Sequence, residues 1–267
     1  MWWFQQGLCL LPAALVVWSS AAFIFSFIIA VLLRHVDPLV PYISDTGTMA
    51  PERCLFGIML TISAFLGVCT MYVRYKQVEA LIPENICITR CNRLGLVLGL
   101  LSCLGICIVA NFQKTAIIHA HVLGAILTFG MGFIYIVVQT FISHRMQPHL
   151  HGIAIFWIRC ALLIWCGASI VSMFVSSVTL YSMISAKEMA TRLHWDTTDK
   201  GYTLHLVSTI SEWSLAFSFL SFFLTYIRDF QKITLHAEVD LHSETLHDGP
   251  QWNMPHGERT PLLAGSL

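Results

Sequence analysis

The chain has 267 residues, of which 56% are hydrophobic and only 11% charged, and its 15 basic and 15 acidic side chains give no formal net charge. Soluble domains usually contain about 25% charged residues, so this composition, with a mean hydropathy of +0.70, excludes an ordinary soluble enzyme. Most of the chain must have lipid as its solvent, and no nucleic-acid partner is predicted.

Six segments, taken in chain order, are long and apolar enough to cross a bilayer, which needs roughly 20 apolar residues per helix. They lie at about 8–33, 54–73, 94–111, 116–142, 154–180 and 203–227. We therefore predict an all-α, polytopic membrane protein: a bundle of six transmembrane helices in a domain covering about 1–230. In this arrangement the lipid bilayer is its first partner.

Lys and Arg predict the orientation of this bundle. They are more frequent in the second and fourth connections and after the sixth helix, which favours a cytosolic location for both termini. The similar phrases Tyr72-Val-Arg74 and Tyr226-Ile-Arg228 follow helices two and six. Each predicts a tyrosine at the membrane interface just ahead of a cytosolic arginine.

The first connection carries Asp45-Thr46-Gly47, the tripeptide that holds the catalytic carboxylate of aspartic proteases. Those enzymes need two carboxylates that share one proton, and the sequence has no second Asp-Thr-Gly or Asp-Ser-Gly. We therefore predict that the chain is not an aspartic protease. The tripeptide is interpreted as a polar turn, with a lumenal binding or recognition role as the alternative.

Polar residues gather toward the end of the bundle that carries the first, third and fifth connections. Glu212 lies well inside the sixth helix, where an ionisable group costs roughly 2.5–3.5 kcal/mol unless it is paired or faces a cavity. The candidate cluster comprises Asp45, Asn111, His121, His205 and Glu212. Four roles stay open for it: helix packing, a lumenal pocket for a lipid headgroup, a proton-linked switch and a hydrolytic centre. No metal is predicted, because His119 and His121 face different sides of a helix and do not suit joint ligation. No cofactor is predicted either.

Most of the nine cysteines fall within or at the ends of predicted helices, where a free thiol behaves as a small hydrophobe. Cys87 and Cys91 lie in the second connection near the membrane, where they are either palmitoylated or unmodified. Cys54 has no partner in the other lumenal connections, so no disulfide framework is predicted.

The segment 231–267 is polar and too poor in apolar residues to bury a core, so it is predicted to be a disordered cytosolic tail. Within it, Glu258 lies four positions before Leu262 and Leu263. This spacing resembles the acidic dileucine signals that clathrin adaptor complexes bind for delivery to endosomes and lysosomes. The tail is therefore predicted to carry a sorting signal.

Four motifs occur in the same order as in the DNA damage-regulated autophagy modulator (DRAM) family of six-helix membrane proteins. They are VPYISDTGT at 40–48, IVANFQK at 108–114, EW at 212–213 and YIRDFQK at 226–232. The opening MWWFQQGL, the HWD at 194–196 and the ERTPLL of the tail resemble one member of that family in particular. The resemblance covers roughly residues 1–235.

This resemblance implies a non-enzymatic protein of the lysosomal membrane, with late endosomes and the plasma membrane as further locations. It implies promotion of the initiation of autophagy, through partners that include autophagy-initiation proteins, and a contribution to apoptotic cell death. The alternative is a transporter, or a lipid-modifying or lipid-moving protein, using a polar pocket around Glu212. Proline occurs in the six segments only as Pro12, which argues against a transporter with helices broken near the membrane midplane.

Overall fold

The computed structural model describes residues 7–39, 41–147, 152–185, 188, 191–231 and 233. Within these ranges it contains six helices that are long and apolar enough to cross a membrane. They are α1 (Leu10–Leu32), α2 (Glu52–Leu81), α3 (Ile86–Asn111), α4 (Ile118–Arg145), α5 (Ile153–Met183) and α6 (Tyr202–Phe230). The predicted fold class, an all-α bundle of six transmembrane helices, is thereby confirmed. The sorting residues Glu258, Leu262 and Leu263 lie outside the described residues.

α1 ends in a left-handed turn that leads the chain into loop 1, the connection between α1 and α2. Arg34 adopts a φ of 60°. Its N–H donates to the Val31 carbonyl at 3.0 Å, and the N–H of His35 donates to the Ala30 carbonyl at 2.8 Å. These two bonds form a Schellman motif, which satisfies carbonyls that the end of a helix leaves open.

α2 and α3 both extend beyond their predicted apolar segments, α2 to Leu81 and α3 back to Ile86. In the added turns of α2, Arg74 and Gln77 are buried, 0% and 7% exposed, and hydrogen-bonded to each other. The Asn85 side chain caps α3 by accepting a backbone N–H of its first turn at 3.1 Å.

α4 and α6 are irregular. α4 contains a π-helical stretch, Ile126–Met131, beside which the Ser102 hydroxyl of α3 donates to the Thr128 carbonyl at 2.8 Å. That bond satisfies a carbonyl where the helical pattern changes, as a membrane interior requires. α6 breaks at Thr225, after which its last turn runs from Tyr226 to Phe230.

The helices pack as neighbours in the pairs α1 with α2, α2 with α3, and α5 with α6. The first half of α4 packs chiefly on α3, whereas its second half, Gly132–Arg145, packs on both α3 and α5. Outward-facing apolar residues such as Val171 and Phe174 are 62% and 66% exposed, so they contact lipid in a bilayer. The chain is thus a multi-pass membrane protein. We call the end with the α1–α2, α3–α4 and α5–α6 connections the odd-loop end, and the opposite end the even-loop end.

Candidate functional site

Loop 1 folds back into the bundle instead of lying on its surface. Asp45–Gly47 forms one turn of 3-10 helix, in which Asp45 and Thr46 are 2% and 0% exposed. The Thr46 hydroxyl donates to the Ile43 carbonyl at 2.7 Å and lies 3.1 Å from the hydroxyl of Ser26 in α1. The Asp-Thr-Gly tripeptide is therefore a buried turn.

Asp45 forms a buried ion pair with Lys114, which lies in the connection between α3 and α4. Lys114 Nζ is 2.5 Å from Asp45 Oδ1 and 5.4 Å from the centre of the Tyr42 ring. Burial raises the pKa of Asp45 above its ordinary value, and the nearby Lys114 ammonium opposes that rise. Sequence reasoning missed this pair because Lys114 looked like one more solvated loop charge; its position at the same end of the bundle was the available signal.

Glu212 and Trp213 attach α6 to loop 1. Glu212 Oε2 accepts from the backbone N–H of Ile43 at 2.8 Å, and the Trp213 indole N–H donates to the Pro41 carbonyl at 2.8 Å. Glu212 is 9% exposed, so the bond from Ile43 supplies a partner that a buried carboxyl group needs. The Glu-Trp pair thus holds the segment that leads into the Asp-Thr-Gly turn.

His205 belongs to a neighbouring contact between loop 1 and loop 5, the connection between α5 and α6. Its ring stacks on Trp195 with centroids 4.3 Å apart and meets the Tyr42 ring edge-on at 5.2 Å. Asp37 of loop 1 accepts from the backbone N–H of Trp195 at 2.6 Å and lies 2.9 Å from Nδ1 of His194. Loop 5 is therefore fastened to loop 1.

His121 and Asn111 are placed differently from each other. His121 is buried, and its Nδ1 lies 2.8 Å from the Phe112 carbonyl, so Nδ1 carries the proton and donates. It also interacts electrostatically with Asp45. Asn111 is exposed and its amide donates to a carbonyl of its own helix at 2.8 Å. The predicted residues that meet around loop 1 are Asp45, His121, His205 and Glu212.

We call the residues around this buried turn the odd-end cluster: Tyr42, Asp45, Lys114, His121 and Glu212. Its contacts join a loop to helices. An aspartic protease dyad needs two carboxyl groups that share a proton, whereas the group bound to Asp45 here is an ammonium. Among the residues that the structure describes, no group of three His, Cys, Asp or Glu side chains is arranged to hold a metal ion.

A second buried polar cluster, which the sequence did not lead us to predict, lies at the even-loop end. Arg74 of α2 and Arg159 of α5 converge on Oδ2 of Asp229 in α6, at 3.2 and 2.7 Å. The three residues are 0%, 0% and 1% exposed. We call this trio the arginine cluster. Its members were visible in the sequence, but Arg74 and Arg159 served only as markers of orientation.

Further hydrogen bonds complete the arginine cluster. Arg74 donates to the side-chain oxygens of Gln77 and Gln139, at 2.7 and 3.2 Å. Arg159 donates to the hydroxyls of Ser143 and Thr225, at 2.5 and 2.9 Å. The cluster thus joins α2, α4, α5 and α6, and such bonding is what buried charges require.

The predicted interfacial position of Tyr226 is wrong. Tyr226 is 0% exposed, and its hydroxyl lies 3.2 Å from that of Tyr135. The guanidinium carbons of Arg74 and Arg159 lie 5.1 and 5.0 Å from its ring centre. The ring is buried because two desolvated guanidinium groups are stabilised by an aromatic face. Tyr72, in contrast, is 51% exposed.

These features define a multi-pass membrane protein in which a buried loop closes one end of the helix bundle and an arginine cluster joins four helices at the other. Residues 7–233 match the Frag1/DRAM/Sfk1/Cwh43P N-terminal domain. The chain belongs to this family.

Individual relatives agree with that assignment. The chain is 59% identical to human DNA damage-regulated autophagy modulator protein 2 over 267 residues, which is 100% of each chain. It is 42% identical to human modulator protein 1 over 244 residues, 90% of this chain and 98% of the relative. It is 31% identical to the modulator of macroautophagy TMEM150B of Xenopus tropicalis over 208 residues, 77% of this chain and 86% of the relative. No solved structure matches the chain. The predicted resemblance to the DRAM family, and within it to modulator protein 2, is confirmed.

Proposed function

We propose that this protein is a non-enzymatic regulator of the lysosomal membrane that promotes the initiation of autophagy and contributes to apoptotic cell death. The observation that carries the proposal is the 59% identity, over 100% of both chains, to a human protein named an autophagy modulator. The name of TMEM150B, a modulator of macroautophagy, supports the same role. The contacts of Asp45 and Glu212 with a lysine and a backbone N–H favour action through binding, with autophagy-initiation proteins as partners.

Autophagic flux tests this role. In cells from which the gene has been deleted, re-expression of the wild-type chain is expected to restore starvation-induced flux, measured as marker accumulation when lysosomal degradation is blocked. Flux that is the same with and without the protein would reject the proposal. Glu212→Gln separates two roles of the odd-end cluster, because the amide oxygen keeps the Ile43 bond but cannot titrate. Full flux in that variant would reject a proton-linked switch at Glu212.

The orientation belongs to the same proposal. A tag near Glu84, between α2 and α3, and a tag after Leu267 are expected in the cytosol, and a tag near Asp199 in the lumen. The reasons are the Lys and Arg distribution and the even number of helices. Protease protection in sealed vesicles reads all three tags, and a lumenal C-terminus would reject both the orientation and cytosolic sorting.

Delivery to lysosomes is proposed to depend on Glu258, Leu262 and Leu263, bound by clathrin adaptor complexes. Each leucine contributes roughly 1.5–3 kcal/mol when buried in a partner's pocket, and about 1.4 kcal/mol is a tenfold change in affinity. Replacing both leucines by Ala is therefore expected to move the protein to the plasma membrane at unchanged abundance. Replacing Leu241 and Leu246 by Ala removes two leucines that lack this spacing and is the matched control. An unchanged lysosomal fraction in the first variant would mean that ERTPLL is not the signal.

A second candidate function, a lipid-moving or lipid-modifying membrane protein, is supported by one observation. Glu212 and His121 lie on the wall of a cavity within the bundle. Binding of a lipid there is the first requirement of any such function.

A further inference from the structure

The bundle contains a long apolar cavity. Its wall includes Phe56 and Met71 of α2 and His121 and Tyr135 of α4. These pairs are 15 and 14 residues apart, so at about 1.5 Å per residue the cavity extends for ~22 Å along the bundle. The centre of a water-sized sphere can occupy about 140 Å³ of it, on the order of ten times the ~10–15 Å³ that suffices for one water.

The cavity is narrow for its length. If this volume is spread evenly over ~22 Å, the sphere centre moves in a path ~1.4 Å in radius. Adding the radius of the sphere gives a channel with a mean radius of ~2.8 Å. A single methylene chain contacts such walls at roughly the ~3.5–4.0 Å that carbon atoms prefer. This mean width fits one methylene chain better than the paired chains of a phospholipid or the fused rings of a sterol.

We infer that this channel opens toward the membrane between α4 and α6. There the first half of α4 packs chiefly on α3, and Phe129 of α4 meets Phe219 of α6 with ring centroids 6.2 Å apart. Both rings are half-buried and line the cavity. Phe129 also lies in the π-helical stretch Ile126–Met131, none of whose residues is buried. Two side chains, rather than a packed helix interface, thus separate the cavity from lipid at this point.

The odd-loop end of the cavity is polar. Glu212 Oε2 is engaged by Ile43 N–H, so Oε1 is the oxygen that this lining residue offers to a ligand. His121 Nδ1 donates to the Phe112 carbonyl, which leaves Nε2 as an acceptor. A hydroxyl group suits both, because it donates to a ring nitrogen or carboxylate and accepts from a protonated carboxyl group. Asp45 behind this wall is paired with Lys114, so Glu212 supplies the acidic group of the wall, and a carboxylate head is repelled whenever Glu212 is ionised.

We propose that this cavity binds the hydrocarbon chain of a neutral single-chain lipid with a hydroxyl head, of which a monoacylglycerol is the type. The chain enters between Phe129 and Phe219, lies along the channel toward Met71 and Tyr135, and leaves its hydroxyl head at Glu212 and His121. The site rests on the cavity and its lining, independently of the role in autophagy and of the sorting signal.

Photolabelling of the full-length protein in lipid nanodiscs tests the site. The probes are a monoacylglycerol with an 18-carbon chain, the free fatty acid of the same chain and a sterol, each carrying a diazirine and an alkyne. We expect the monoacylglycerol to label peptides of α2 and α6 that line the cavity, at least about fivefold more strongly than the other two probes. Label confined to outward-facing residues, or a sterol that labels the cavity equally well, would overturn the proposal.

Variants that fill the cavity sharpen this test. Ala216→Phe on α6 and Ser63→Leu on α2 add side chains at buried lining positions, 7% and 3% exposed. Each is expected to reduce labelling by monoacylglycerol at least about fivefold, whereas Ala161→Phe on the exposed face of α5 leaves it unchanged. Thermal unfolding identifies the folded variants, and two fillers from different helices allow one to fail to fold. Undiminished labelling of a folded filler variant would refute the site.

Glu212→Gln tests the polar end separately. The amide oxygen keeps the Ile43 bond and the NH₂ group then offers a donor to the cavity, which suits a carboxylate. The ratio of monoacylglycerol to fatty-acid labelling is expected to fall at least about threefold. An unchanged ratio would refute the assignment of the head to Glu212.

Discussion

Replacing Asp229 by Asn removes the carboxylate on which Arg74 and Arg159 converge. Both guanidinium groups are 0% exposed, so neither can recover its hydration. Removal of one partner from a buried ion pair typically costs about 3–5 kcal/mol. At about 2–4 °C of melting temperature per kcal/mol for a chain of this size, we expect Asp229→Asn to lower the melting temperature by roughly 6–20 °C.

The arrangement of two arginines around one aspartate also predicts which substitution destabilises the protein more. Asp229→Asn leaves two buried positive charges together, whereas Arg74→Met leaves Asp229 paired with Arg159 at 2.7 Å and relieves the repulsion between the arginines. Asp229→Asn is therefore expected to destabilise the protein more than Arg74→Met. Arg145→Met, at an exposed position of the same end, is the control and is expected to change stability by less than about 0.5 kcal/mol.

The assay is thermal unfolding of the full-length chain, fused to a fluorescent protein and followed by size-exclusion chromatography after heating in detergent. Repetition in nanodiscs controls for the detergent. The reasoning would be refuted if Arg74→Met proved more damaging than Asp229→Asn, or if Asp229→Asn behaved like Arg145→Met. Either result would mean that the three charges do not share one desolvated site.

Three further predictions concern α3, α4 and the odd-loop end. Folding raises the pKa of Asp45, so this residue stabilises the fold fully at a pH below its unfolded pKa, and the stabilisation is lost as the pH rises through its folded pKa. The melting temperature of the wild type relative to that of Asp45→Asn is therefore expected to rise as the pH falls from the folded to the unfolded pKa. A Cβ on Gly105 would lie 2.5 Å from the Thr128 backbone nitrogen, whereas one on Gly130 meets nothing within 4 Å, so thermal unfolding is expected to show a loss of about 1–3 kcal/mol for Gly105→Ala and almost none for Gly130→Ala. Trp195→Ala removes the ring stacked on α6 at 4.3 Å and is expected to speed cleavage of loop 5 by an added protease at unchanged global stability; equal cleavage rates would contradict the described fastening.

The six helices could be predicted because the bilayer imposes one strong pattern, a run of apolar residues about 20 long. The same pattern hides how far a helix continues past the apolar run. α2 continues because Arg74 and Gln77 are paired inside the protein, and a hydropathy average counts those residues as evidence for the end of a helix. α3 begins early because Asn85 caps its first turn and the Asn92 amide donates to the Tyr75 carbonyl. The lengths of these helices depend on tertiary contacts.

The location of the candidate site could be predicted from the sequence, but the residue pairs that form its contacts could not. Position along the helices and loops placed Asp45 and Glu212 toward the same end of the bundle, and in the structure Glu212 binds the loop that contains Asp45. The contact partners of buried helix residues could not be predicted, because they depend on how each helix is rotated about its axis. Asp229 is 155 positions from Arg74 and 70 from Arg159, and nothing local indicates that these three side chains face one another.

The two buried clusters also indicate which helix can move when a lipid chain enters the cavity. α6 is held well inside its length by the bond between Glu212 and Ile43 and at its last turn by Asp229 in the arginine cluster. Displacement of Phe219, which lies between them, by movement of its backbone would break polar contacts that lipid cannot replace. The first half of α4 packs chiefly on α3 and includes the π-helical stretch around Phe129, a kind of irregularity common at functional sites. We therefore expect opening between the two rings to involve Phe129 and the first half of α4 while α6 stays in place, and the fixed helix is the one that carries the carboxyl group assigned to the lipid head.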